Sequence, residues 1–346
     1  MAINVVKLER WKRLLVNIEE PLPLVGTVFI GVIDRGTNVL QVRPTTLCPL
    51  NCIFCSVDAG PRSKWRVSEF IVNDPEWLVD WTLRVARVKN TRVEALIDGV
   101  GDPFTYDKLV ELVQLLKEND HLISSVAVET HGWALDKKLI DKLNDVGLDR
   151  INLSIDTLDS QKARFLTGTS WYDIKKVRRM AEYIVKETSI DLHVTPVWVP
   201  GINDKDVIEV VEWAYNIGAG KRWPPATIQK YNAHRYGRIV KKTKPMTWRD
   251  FWRRIEELEQ KTGFRVKWSM DEWGIKYAPR YEVPYRLGSK VRVRIISQGW
   301  IKGTHLGVTL DYNWLVTVRT GNYNVTGIVS VKITEIKDTI IMASII

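Results

Sequence analysis

Between about residues 93 and 231 two kinds of apolar pattern alternate along the chain. Short runs of aliphatic and β-branched residues, VEALIDGV, SVAVETHG, DRINLSID, DLHVTPVWV and PATIQKY, are separated by longer stretches in which apolar residues recur every three to four positions: YDKLVELVQLLKEN, DKKLIDKLNDVG, YDIKKVRRMAEYIVKE and KDVIEVVEWAYNIG. The first kind predicts buried strands and the second amphipathic helices. Strand and helix in regular succession form right-handed βα units around a parallel sheet. The expected fold is therefore α/β, with the sheet curled into a full or partial barrel of the TIM type and chemistry in the loops that follow the strands.

The flanks read differently. VVKLERWKRLLVNIEE predicts a short amphipathic helix, and VGTVFIGVIDRGTNVLQVRPTT two β-rich runs around Asp34-Arg35-Gly36-Thr37, a hairpin. TWRDFWRRIEELEQKTG predicts a helix capped by Thr247, with Asp250 three residues on and Gly263 at its end. Beyond APRYEVPYRLG the period changes: KVRVRII, WLVTVRT, GIVSVKIT and TIIMASI are short strands between Gly- and Asn-containing turns, the pattern of a small closed OB-like β-barrel. The chain is expected to divide into an α/β domain over 1–284 and a β-barrel over 285–346.

Composition narrows the class. The 346 residues are 45% hydrophobic and 27% charged, an ordinary globular balance, with no apolar run near the roughly 20 residues of a membrane span. Nothing resembles a secretory leader, so a cytoplasmic location without membrane contact is expected. Lys and Arg outnumber Asp and Glu by 51 to 41, a net charge of +10 that favours an anionic partner such as nucleic acid. A generally basic set of proteins would give the same balance.

All 3 cysteines lie in LCPLNCIFCSVDAG, as Cys48, Cys52 and Cys55. Thiols this close in a cytosolic chain point to metal, since disulfides are rare there and one thiol would be left over. Structural zinc needs four ligands, and no further Cys or His stands at suitable spacing, so zinc fits poorly. A cubane iron-sulfur cluster normally takes four cysteines; three leave one iron open to an outside ligand. Three cysteines packed merely as small hydrophobes remain the bland alternative.

C-x3-C-x2-C with Phe54 before the third cysteine resembles the radical S-adenosylmethionine (SAM) superfamily. The resemblance implies one [4Fe-4S] cluster on Cys48, Cys52 and Cys55, with SAM chelating the open iron and split by an electron into methionine and a 5′-deoxyadenosyl radical. Further features keep the family's order. IDGVGDPFTY is similar to its Gly-Gly-Glu-Pro turn, through Gly99, Gly101, Asp102 and Pro103, with Asp in place of Glu. VETHG resembles T-N-G, keeping Thr130 and Gly132 and replacing Asn by His131. INLSIDTLDSQKARFLTG resembles the molybdenum-cofactor-type branch, implicating Ser154 and Asp156 in SAM binding. VWVPGINDKD and IQKYNAHRYGR match the same branch, the former implicating Asn203. The resemblance spans about residues 30 to 245 and implies that the α/β barrel is a partial (β/α)6 barrel of the TIM type. His131 and His193, near strand ends, are candidate acid/base groups, although a lone histidine is more often structural.

Absences restrict the chemistry. Sulfur-inserting and cysteine-methylating radical enzymes need further thiols, and this chain has none, so a single cluster is expected unless a partner supplies another. Rearrangement, dehydrogenation, carbon-carbon bond formation and transfer from a second donor stay open.

In KVRVRII, Lys290, Arg292 and Arg294 alternate with Val291, Val293 and Ile295, which puts charge on one strand face and aliphatics on the other. From Arg286 onward there are eight basic residues and three acidic ones, 8 − 3 = +5. The segment from SQGWIKGTHLGVT through VKITEIKDTIIMASII resembles the TRAM domain, an RNA-binding module of RNA-modifying enzymes. That resemblance implies RNA contacts from Lys290, Arg292, Arg294, Trp300, Lys302, Trp314 and Lys332, with Tyr312 and Tyr323 as further stacking candidates. A solvated basic face on a packed barrel is the alternative. The basic run YNAHRYGRIVKKTKPMTWRDFWRR has the same two readings.

Together these imply a radical SAM enzyme modifying RNA, with tRNA the foremost substrate, an unpaired or flipped nucleotide the target, and ferredoxin or flavodoxin the electron donor. A radical SAM enzyme of a small metabolite or lipid precursor, and an RNA-binding protein with a structural or sensing cluster, are the rivals. Oligomeric state is not legible.

Overall fold

The computed structural model describes the backbone of residues 5–8 and the whole of residues 11–346. The chain opens with β1 (Val5–Leu8), β2 (Arg13–Ile18), β3 (Gly31–Asp34), β4 (Val39–Arg43), β5 (Ser68–Val72), α1 (Pro75–Arg87) and β6 (Val93–Ile97). Next come α2 (Leu109–Lys117), β7 (Ile123–Thr130), α3 (Lys137–Asp145), β8 (Arg150–Leu153), α4 (Ser160–Leu166), α5 (Ile174–Glu187) and β9 (Asp191–Val194). Then β10 (Val197–Trp198), α6 (Asp204–Ile217), β11 (Gln229–Lys230) and α7 (Trp248–Thr262) lead to β12 (Lys290–Gln298), β13 (Thr304–Thr309), β14 (Leu315–Arg319), β15 (Ile328–Lys337) and β16 (Ile340–Ile345). They pack as two compact units. Unit one holds the chain up to Pro49, Gly60–Val126 and Tyr277–Ile346; unit two holds Leu50–Ala59 and Ala127–Lys276. By packing, the C-terminal strands thus belong with the N-terminal part of the chain.

The main sheet has strand order β3-β4-β6-β7-β8-β9, with β7 divided between the units. In unit one β3 and β4 form the expected hairpin and β4 pairs in parallel with β6. In unit two β7, β8 and β9 pair in parallel. All four residues of β3 and all four of β9 are buried, as strands covered on both faces must be. The run PATIQKY yields only the two residues of β11, which pair with β10 outside the main sheet, and a single bridge from Ala226 to Val194. The sixth repeat is vestigial.

Helices α1, α3, α4 and α5 start where an aspartate accepts from orphan amides. Asp173 accepts from Lys175 and Lys176 N–H, and the face Ile174, Val177, Ala181 and Ile184 is buried at helical spacing. Thr247 caps α7 through the Asp250 N–H, and Gly263 ends it in the left-handed region, both as the sequence indicates.

The segment expected as an N-terminal helix is two strands instead. β1 runs antiparallel to β2, and β2 runs parallel to β5, more than fifty residues further on. Glu9 and Arg10 lie outside the described residues. Val16 and Ile18 are fully buried on either side of half-exposed Asn17, a period of two that the longer periodic pattern of the segment masked. β5 and α1 carry no expectation from the sequence, although Asp74-Pro75 is a capped helix start.

The C-terminal strands close as a five-stranded barrel in the order β12-β13-β14-β16-β15. β13, entirely buried, was not foreseen, because Gly307 interrupts its apolar run. Val25 and Gly26 add to the barrel edge: Leu315 N–H donates to Val25 O (2.9 Å) and Ile341 N–H to Gly26 O (2.8 Å). Gly26 has φ +113°, and a Cβ there would lie 1.9 Å from Leu315 O. A side chain at this position would prevent the strand from approaching.

A buried ion pair secures the same junction. Lys89 Nζ lies 2.5 Å from Asp34 Oδ1 and donates to Pro279 O (2.8 Å), while the Tyr281 N–H donates to Asp34 Oδ2 (2.7 Å). Both side chains are fully buried. Lys89→Met leaves a carboxylate in this interior without its cation, and is expected to cost about 3–5 kcal/mol in urea unfolding. The double change Lys89→Met with Asp34→Asn should cost less than the single one, because no lone buried charge remains.

Candidate functional site

In unit one, β4 ends in Pro44-Thr45-Thr46-Leu47-Cys48, and the loop after β6 packs on that strand end. A Cβ on Gly101 would meet Leu47 O at 2.2 Å and Thr46 O at 2.5 Å, so only glycine fits. The Asp102 N–H donates to Leu47 O (2.8 Å), and Thr105 Oγ1 donates to the same carbonyl (3.1 Å). The Asp102 carboxylate, 1% exposed, accepts from the Phe104 N–H (3.0 Å) and caps the 3-10 turn Pro103–Thr105. Gly99 lies on the same strand end, its Cβ position 3.2 Å from Thr45 O.

Beneath this turn is a charge network that the sequence did not disclose. The fully buried Glu69 carboxylate takes Arg13, Arg66 Nη1 (3.1 Å) and Thr46 Oγ1 (2.5 Å). Arg66 also donates to Thr46 O (2.7 Å) and to Val100 O, inside the Gly-Val-Gly turn. A buried carboxylate and two guanidiniums are stable only when saturated in this way.

In unit two, the Cys52–Ala59 loop is gripped by Arg238. Its backbone N–H donates to Cys55 O (2.8 Å), and its guanidinium donates to Cys52 O (3.0 Å), to Ala59 O and to Asp58 (2.8 Å). Cys55 Sγ accepts from the Ala59 N–H (3.2 Å). Burial pushes the Cys52 thiol well above its ordinary pKa, and the neighbouring Cys55 and Asp156 push the same way, against Arg238. Two thiols in mutual electrostatic range, one with an amide aimed at its sulfur, suit a cation that would draw off their protons. Phe54 is buried in the same loop.

His131 Nε2 lies 3.9 Å from Cys52 Sγ. Its Nδ1 is 2.8 Å from Ser154 O, which makes Nδ1 the protonated nitrogen of the neutral ring. Thr130 Oγ1 accepts from the Gly132 N–H (3.0 Å), and Thr130 O accepts from the Ser154 N–H (2.8 Å). Asp156, 4% exposed, accepts from the Val197 N–H (2.8 Å); burial raises its pKa to about 6, opposed by His131. Asn203 is fully buried and donates to Asp156 O (3.1 Å) and Val197 O (2.9 Å) while accepting from Val199 N–H (2.8 Å). Cys52, His131, Ser154, Asp156 and Asn203 are thus linked through one set of strand-end loops.

His193 is placed differently. Its Nδ1 meets Pro224 O (2.7 Å), its Nε2 meets Thr227 Oγ1 (2.9 Å), and its ring lies edge-on to Trp273 at 4.7 Å. Both nitrogens are committed to holding the loop before β11.

On the barrel, Lys290, Arg292, Arg294 and Lys332 are exposed, with Val293 buried between them, as the alternation requires. Lys290 stands directly opposite Lys332 across the β12/β15 ladder. Lys302 is exposed as well. The two tryptophans do not join them. Trp314 is 3% exposed and packs against Tyr281 at 5.5 Å, and Trp300 stacks on Phe29 at 5.8 Å with Arg66 over its ring at 4.9 Å. Trp314 is closed to a base by burial, and Trp300, half-exposed, has its ring engaged by Phe29 and Arg66; both indoles serve in docking the barrel, which counts against a stacking role for either.

This donor set, in strand-end loops of an α/β sheet, defines the class. The model of the Radical SAM superfamily matches residues 42–214, half of the chain, and the chain belongs to that family. The cofactors of that family are a [4Fe-4S] cluster and SAM. An uncharacterized protein of Methanocaldococcus jannaschii is 36% identical over 99% of this chain and 83% of its own length. GTP 3',8-cyclase of Corynebacterium glutamicum is 28% identical over 57% of this chain and 51% of its own; the chain spans about half the length of the cyclases it matches. Among solved structures, Streptococcus suis SuiB bound to precursor peptide SuiA aligns with a TM-score of 0.52 at 19% identity, covering 68% of this chain and 48% of SuiB, a likeness of fold. Among the described residues no helix is long and apolar enough to cross a membrane.

His193 also has a thermodynamic signature. Burial, assisted by Arg150, lowers its pKa from 6.5 to about 4. Between those values the unfolded chain holds a proton that the folded chain does not, so stability is full above about pH 6.5 and is lost as pH falls toward 4. The loss amounts to roughly 3 kcal/mol at the acid end. Urea midpoints measured across this range should fall steeply for the parent protein and more shallowly for His193→Gln.

Proposed function

We propose that the protein is a radical SAM enzyme that modifies an unpaired nucleotide of RNA, tRNA being the foremost substrate. Cys48, Cys52 and Cys55 hold the cluster. Gly99, Gly101, Asp102 and Pro103 present backbone groups to SAM from one loop, and Thr130, Ser154 and Asp156 form its contacts from the strand-end loops of unit two, with Asn203 positioning Asp156 and Val197 and Phe54 beside the cluster. When held there, SAM would supply, on accepting one electron passed by the cluster from ferredoxin or flavodoxin, methionine as the leaving group and a 5′-deoxyadenosyl radical for hydrogen abstraction from substrate. His131 is the residue for proton movement near the cluster, its Nε2 having no hydrogen in the neutral ring. The buried strand ends and the saturated Glu69 network exclude water from the loops that carry this chemistry.

The observation that carries the RNA assignment is the exposed cation face of β12 and β15. Like charges directly across a ladder repel, and Lys290 opposite Lys332 is a pair that a phosphate between them would relieve. Lys302 extends the face. The proposed module is TRAM-like, with phosphate contacts dominating and base contacts coming from elsewhere than Trp300 and Trp314.

The test compares nucleosides of tRNA from parent and deletion cells by mass spectrometry, alongside 5′-deoxyadenosine release by the anaerobically reconstituted enzyme with and without that tRNA. One nucleoside should be missing, and release should rise with the deletion-strain tRNA. An unchanged profile with RNA-independent release would replace RNA by a small substrate. Changing Lys290, Arg292 and Arg294 together to Ala should reduce the slope of log affinity against log salt by about 2 to 3.

Arg238 gives a separate expectation. Arg238→Ala takes the three side-chain donations, to Cys52 O, Ala59 O and Asp58, away from the cysteine loop and leaves that of its own backbone, and changes that misplace metal ligands typically cost about 10- to 100-fold in affinity. Iron loss to a chelator should accelerate in that range, with Arg238→Lys intermediate.

A further inference from the structure

Helix α7 carries two tryptophans on its outer face, an arrangement that neither packing nor capping explains. Trp248 is 57% exposed and Trp252 41%. Their ring planes are 22° from parallel with centroids 6.3 Å apart, and both meet Phe251, which is buried, edge-on at 5.9 and 5.1 Å. Phe251 anchors the pair to the core, so the rings are oriented by packing yet open to solvent. Lys230 Nζ sits 5.0 Å from the Trp248 ring and Lys267 Nζ 5.6 Å from that of Trp252. Lys230 is the last residue of β11, so the pair borders a strand C-terminus, where βα folds place their chemistry.

The chain leading to these rings is strongly basic. Residues 235–254 contain Arg235, Arg238, Lys241, Lys242, Lys244, Arg249, Arg253 and Arg254 against Asp250 alone, 8 − 1 = +7. Arg238 is engaged with the cysteine loop, whereas Arg235, Lys241, Lys242, Lys244, Arg249 and Arg253 are exposed. Glu256 and Glu257, the nearest following acids, are paired with Lys267 and Arg253. Near-parallel indoles of this exposure, in a segment where Arg235, Lys241, Lys242, Lys244 and Arg249 are exposed cations outside those acid pairs, match one kind of occupant: an unpaired polynucleotide, whose bases stack on rings while its phosphates meet Lys and Arg. A protein partner here would have to match the positive charge of Arg235, Lys241, Lys242, Lys244 and Arg249 with carboxylates of its own.

We infer that Trp248 and Trp252 form a stacking platform for unpaired nucleotides of the RNA substrate, with Lys230, Arg235, Lys241, Lys242, Lys244 and Arg249 holding the adjoining phosphates. The inference rests on the RNA assignment and adds to it where base contacts are made, since the barrel tryptophans are engaged in docking the barrel. A base resting on these rings has left its helix, the condition that radical chemistry on a nucleotide requires.

The test uses the full-length holoenzyme and fluorescence anisotropy with two labelled RNAs of equal phosphate count, one single-stranded and one duplex. Trp248→Ala and Trp252→Ala should each weaken single-strand binding by about five- to a hundredfold, while Trp→Phe retains most of it and the salt slope is unchanged because no phosphate contact is lost. Duplex binding should be unaffected. Parent-like single-strand affinity in both Ala variants, or equal losses on duplex, would overturn the platform and leave the RNA assignment standing; no RNA binding by the parent protein would overturn both. Sedimentation of the same variants covers the rival occupant: loss of an oligomer with RNA binding intact would make the face a contact between copies and end the proposal.

Discussion

One buried cation organises unit one. Arg66 donates to Thr46 O at the end of β4 and to Val100 O in the glycine turn, pairs with Glu69 on β5, and stacks on Trp300 of the barrel segment. A guanidinium without solvent must satisfy its donors inside the protein, and each partner it takes comes from a different part of the chain. The strand end leading into Cys48 is therefore not an independent loop. Its geometry, the approach of Gly101 to it and the seating of the C-terminal barrel all depend on the same charge.

The parts of the fold legible in sequence are those set by local pattern. The alternation of KVRVRII puts Arg292 and Arg294 outside and Val293 inside, and Thr247 and Gly263 bound α7 where capping chemistry says they should. Parts fixed by distant partners were not legible. RLLVNI becomes a strand because β5 lies beside it; the segment alone carries both helical and alternating spacing. Arg13, Arg66 and Glu69 look like surface charges in sequence, and only their convergence makes them interior.

The site follows the same division. Motif residues such as Gly101 and Asn203 carry spacing that points to them, and the structure gives each a physical reason: a carbonyl 2.2 Å from a hypothetical Cβ, and three hydrogen bonds at a fully buried amide. Residue type alone did not separate His131 from His193. The former lies beside a cysteine, while the latter has both nitrogens tied to loop groups and is kept neutral by burial. Trp300 and Trp314 mislead for a related reason. An aromatic in a basic segment can equally be the hydrophobic contact that docks the segment, and the difference is which side of the strand faces the core.

The joining of Val25 and Gly26 to β14 and β16 bears on how the chain matures on the ribosome. Synthesis delivers residue 26 first and residue 341 more than three hundred residues later, so the edge that Gly26 completes does not exist for most of translation. Asp34 likewise waits for Tyr281. The interval leaves β3 and the loop before it with unfilled backbone partners, a state in which nascent chains are open to chaperones and to mispairing. The strand end that carries Cys48 packs in the same unit as residues 277–346, so its support is complete only once those residues have emerged.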